Sequence, residues 1–256
     1  NWKTNGERVI QLIRERWLPH SERDSYSWMT IHECPLWTNG VEEIAATILR
    51  RSPISIWNVD RTTMTLAVEQ PDVASRVVRA KLDYLLAEAK GKPVPPPFPV
   101  NGTGDEKFIW DIHHARAKEF KDLLDEMEWY DLSSLAEVAP AAFLQYLWPW
   151  YVAVFLEILA SKDIKDVKYI YPGRYALEIE LTLPEARTAS REKPVMSALQ
   201  TAVEEFAKKS PEEFSKWADE NSNLEILAVQ QLIARGYEVM AEQLASKALV
   251  WVLSDQ

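Results

Sequence analysis

The residues that could carry chemistry in this chain are few and scattered. His113 and His114 are adjacent, and helix neighbours point about 100° apart, so a metal held there would need partners from elsewhere. His32-Glu33-Cys34 offers three donor types in a loop, but no second close pair accompanies it, and a solitary cysteine commonly serves as a small apolar core residue. The paired carboxylates Asp125-Glu126 and Glu204-Glu205 have the types for general acid–base work, yet their spacing predicts solvated helix positions. No G-x-x-x-x-G-K-[ST] or G-x-G-x-x-G stretch is present to cradle phosphate, and Gly102-Thr-Gly104 lacks both the lysine and a preceding strand. H-E-x-x-H, C-x-x-C and G-x-S-x-G are also missing. The sequence therefore assigns no catalytic residue, no cofactor and no metal ligand.

The aromatic residues are more informative. Eleven tryptophans are many for a chain of this length, and Trp28, Trp37, Trp129 and the Trp148/Trp150 pair fall outside clean helical stripes. Tryptophans anchor cores first and interfaces second. As a set they favour an interaction protein, with Trp28, Trp37, Phe98, Trp129 and Tyr130 as the partner-binding candidates.

The elements that would position them read as helices. The 256 residues are 47% hydrophobic and include only seven glycines, too few for the tight turns of most nucleotide-binding α/β folds or β-sandwiches. Gly6 to Leu18 places Val9, Ile10, Ile13 and Trp17 on one stripe and stops at Pro19. Asn39-Gly40 predicts a turn before a helix over 41–51 with Ile44, Ala45, Ile48 and Leu49 inside. Pro53 to Val68 predicts a helix on Ile56, Val59 and Met64. Pro71 opens a long helix on Val73, Val77, Val78, Leu82, Leu85 and Leu86. Helical pattern resumes at Asp105, with Phe120, Leu123 and Leu124 on one side, and runs through an apolar segment, Ala141 to Ala160, kinked at Pro149. From Lys193 the helices return: one on Leu199, Val203 and Phe206, a second capped by Ser210-Pro211, a third from Leu224 ended by Gly236, and a fourth from Val239.

Lys92 to Gly104 holds five prolines and two glycines and predicts an extended linker or surface loop. It separates N-terminal helical pairs, 1–91, from C-terminal ones, 105–256. Tyr175 to Leu183 alternates apolar and acidic residues and predicts at most one short strand. Ile44 to Trp57 and Leu227 to Met240 share a layout of helix, basic residue, break and second helix. The expected fold is thus all-α, a HEAT/TPR-like solenoid of antiparallel helix pairs. Asn1 at the start and an apolar helical pattern running into Gln256 lead us to expect a piece of something larger.

A net charge of −10 with no basic stripe disfavours nucleic acid. One cysteine and no signal-like N-terminus point to a cytoplasmic chain. Ala141 to Ala160 is nearly long enough to span a bilayer, but Pro149, Glu157 and the lack of a second such segment favour a buried helix.

Pro194 to Asp255 resembles the helical region downstream of the NTPase in large bacterial STAND-type proteins, including those of antiphage defence. The resemblance lies in the helix ending before Ser210-Pro211, the Phe214/Trp217 helix, the helix closing on Arg235-Gly236, and the final Ala-Leu-Val-Trp-Val-Leu-Ser-Asp. Cys34 to Asp60 has a similar pattern. The resemblance implies a helical-repeat sensor arm that recognises a protein partner or ligand on a helical face, with oligomerisation through the parent protein. It implies no catalytic residue, since the phosphate-binding motif is missing. Two other readings stay open: a small helical enzyme or regulatory subunit with a site around His113 and His114, and a membrane-active toxin using Ala141 to Ala160.

Overall fold

Proline sets the start of four helices, because its fixed φ suits the first helical position and its missing N–H has no intrahelical partner there anyway. The computed structural model describes residues 2–93, 116–125, 129, 132–160, 194–224 and 226–240, with 245, 246, 249 and 251 beyond them. Its α-helices are α1 (Trp2–Leu12), α2 (Asp24–His32), α3 (Asn39–Leu49), α4 (Ile56–Ala67), α5 (Pro71–Gly91), α6 (Arg116–Asp125), α7 (Leu132–Val138), α8 (Pro140–Ala160), α9 (Pro194–Lys209), α10 (Pro211–Asn221) and α11 (Leu227–Val239). The protein is all-α, and no strand occurs among the described residues. Most of the proline-rich stretch, the predicted strand and His113-His114 lie outside them.

Several local expectations are corrected. Asn39 and Gly40 form the first turn of α3 rather than a turn before it, because the Thr38 carbonyl already accepts from Val41 N at 2.9 Å and Glu42 N at 3.0 Å. The fourth helix starts at Ile56, where the Ser55 side chain accepts from Asn58 N at 3.3 Å. Met64 is exposed and the buried stripe is Val59, Thr62, Thr63 and Leu66. Those positions keep a 3.6-residue period, which the step from Val59 to Met64 does not. Ser210 makes no side-chain cap bond, so Pro211 alone marks the start of α10. The second helix, α2, was not anticipated from the sequence.

Gly236 does not end α11, which runs on to Val239. The glycine is there for space: a Cβ at Gly236 would lie 3.1 Å from Phe214 Cε1 and closer still to two other ring atoms. The Phe214 ring lies against that bare backbone and meets Tyr237 edge-on at 5.3 Å between centroids.

The apolar segment forms α8, with Pro149 inside it. Pro149 faces outward, so the Gln145 carbonyl left without its helical donor sits on the exposed side. Half of the most apolar window is buried. Trp150 Nε1 donates to the Leu82 carbonyl at 2.9 Å and Tyr151 Oη to the Val195 carbonyl at 2.7 Å. By length and composition α8 could cross a membrane; here it packs on α5, α6, α7 and α9.

One hydrophobic core runs from Ile13 to Met240. It is organised by α5, which packs on α3, α4, α6, α7 and α8, and by α9, which packs on α6, α7, α8, α10 and α11. Residues from both sides of the proline-rich stretch share that core. Each fully buried Leu, Ile or Phe in it stabilises by about 1.5–3 kcal/mol relative to exposure. Polar ties cross-link the helices. Asp24, 1% exposed, accepts from Arg51 Nη2 at 2.6 Å and Nε at 2.9 Å. Arg76 donates to both carboxylate oxygens of Glu42 and to Tyr146 Oη, which holds its guanidinium pKa above the usual value.

Candidate functional site

Among the described residues, those with the types for chemistry do not gather into one site. His32 closes α2, with Nδ1 3.0 Å from Thr62 Oγ1. Cys34 is buried, its thiol donating to the Leu36 carbonyl at 3.1 Å, and burial raises its pKa. Among the described residues no three His, Cys, Asp or Glu side chains come together as a metal site. His113, His114 and Glu126 lie outside the described residues.

The carboxylate pair Glu204-Glu205 is corrected. Glu204 is 2% exposed and accepts from Gln200 Nε2 and Arg235 Nε, each at 2.9 Å, whereas Glu205 pairs with Lys208 at 2.7 Å. α9 is packed from several sides, so its buried sector is wider than a single stripe and takes in a carboxylate that its periodicity placed in solvent. The Arg235 guanidinium meets the need of a buried charge for a hydrogen-bonded partner.

The aromatic candidates divide in the same way. Trp28, Trp37 and Trp129 are 2%, 3% and 2% exposed, so these rings are inside the protein. Trp28 and Trp37 meet edge-on at 6.2 Å, and Gln70 clamps the Trp37 backbone, accepting from its N–H at 2.8 Å and donating to its carbonyl at 2.9 Å. Phe98 and Tyr130 lie outside the described residues.

A different set of large apolar side chains faces outward. On α4, Trp57, Met64 and, just past the helix end, Val68 are 60%, 49% and 74% exposed. With exposed Arg61 they fall at i, i+4, i+7 and i+11, one continuous stripe opposite the buried Val59, Thr63 and Leu66. Tyr26 and Met29, also exposed, form an i, i+3 pair on α2, whose last residue is tied to α4 through the His32–Thr62 contact. The signal for this face was in the sequence, since residues 56–68 carry two apolar stripes rather than one.

Chemically, the stripe holds one cation, Arg61, and three large apolar side chains, a composition suited to contact with another apolar surface and not to bond making. Scattered exposed apolar residues are ordinary on protein surfaces; alignment along two turns and more of one helix sets this group apart. No family model, curated protein or solved structure matches the chain.

Proposed function

We propose that this chain is a non-catalytic recognition or scaffold segment of a larger protein and that it engages a protein partner through the outer face of α4. The observation that carries the reading is the exposed Trp57–Met64–Val68 stripe, on a helix whose other face is locked into the core. A rigid helix presenting an aromatic and two aliphatic side chains is a recurrent way to dock onto an apolar groove.

The finer reading is a helical-repeat arm, HEAT/TPR-like, that senses a ligand for a cytoplasmic STAND-type NTPase in bacterial defence. It rests on the pattern of Pro194 to Asp255. It also draws on sequence-adjacent helices that pack on each other, α4 on α5 and α9 on α10, as helix pairs of a repeat do. Any oligomerisation would then belong to the parent protein.

The test compares the wild-type chain with Met64→Glu/Val68→Glu, each isolated from its native cells, with circular dichroism as a check that both fold alike. The reading expects one species to co-isolate in constant ratio with the wild type and to be lost from the variant. Equal recovery with both would overturn it.

A further inference from the structure

We draw no further inference here: the strongest candidate, the open groove between α1 and the start of α3 lined by Glu7, Ile10, Gln11, Arg14, Glu15 and Gly40, carries nothing because none of its lining residues is buried, Arg14 is already paired with Glu43, and a helix start with no second observation does not make a site.

Discussion

Gly236 and Phe214 are complementary in shape. The ring of one occupies the volume that a side chain on the other would need. An interior helical glycine ordinarily costs about 1 kcal/mol relative to alanine, so Gly→Ala in a helix is stabilising by default. Here the sign reverses, because the clash is with a fully buried ring that has no room to retreat. Gly236→Ala is expected to lower stability by about 1–3 kcal/mol. Gly6→Ala in α1, where a Cβ would make an ordinary 3.5 Å contact with Trp2, is expected to raise it by about 0.5–1 kcal/mol. Urea unfolding of the two variants should give midpoints displaced in opposite directions. A stabilised Gly236→Ala protein would contradict the packing described.

The ion pair between buried Asp24 and solvent-facing Arg51 links the start of α2 to the segment after α3, and Arg51 also donates to the Leu18 carbonyl at 2.6 Å. Removing Arg51 strands a buried carboxylate. Arg51→Met is expected to destabilise by about 1–3 kcal/mol, the cost of leaving a buried acceptor unsatisfied, because Asp24 is buried while Arg51 keeps a third of its side chain in water. Asp24→Leu/Arg51→Met together should cost less than the sum of the two single changes. Additive losses in thermal unfolding would show that the two groups are not coupled.

How much of this was legible beforehand can be judged from particular residues. The stripes Ile44/Ala45/Ile48/Leu49 and Val77/Val78/Leu82 are buried as their period requires, because a helix packed on one side leaves a plain 3.6-residue signature. Glu204 and Gly236 depart from their sequence pattern for a common reason. Each owes its place to a residue distant in sequence, Arg235 for the carboxylate and Phe214 for the glycine, and local periodicity carries no information about such partners. The tryptophans show the same limit: irregular spacing leaves Trp28 and Trp37 open between core, the first expectation, and interface, and tertiary packing at α2 and the α2–α3 connection buries both. Placing Met64 in the core hides the outward-facing stripe that it shares with Trp57.

Lys81 is 3% exposed, with Nζ 4.6 Å from the centre of the Tyr84 ring. Burial lowers its pKa, partly offset by the nearby Glu88 carboxylate. The unfolded chain therefore holds this proton more tightly than the folded one. The penalty is fully present below the folded pKa and is relieved as pH climbs from there towards the ordinary lysine value of 10.5. The difference in stability between Lys81→Met and wild type should favour the variant most at neutral pH and shrink as pH is raised through that window. Denaturant titrations at a series of pH values check this; a difference that stays constant with pH would mean that Lys81 does not titrate as a buried amine.

Cys34 should behave as an inert thiol in the native protein, since burial raises its pKa and the thiolate is the reactive form. Reaction with an aromatic disulfide at pH 8 is expected to run at least about 10-fold slower in the folded protein than in denaturant. Equal rates would place Cys34 at the surface.

The central claim is that the outer face of α4 is where this chain meets its partner, and site-specific photo-crosslinking tests it most directly. A photoreactive amino acid is placed at position 64 or 68 in the protein as its native cells make it, and at exposed Glu43 on α3 as the control. The account predicts a discrete crosslinked protein species from positions 64 and 68 that the control position does not give. Crosslinks that are absent from the α4 positions, or identical at all three, would contradict it.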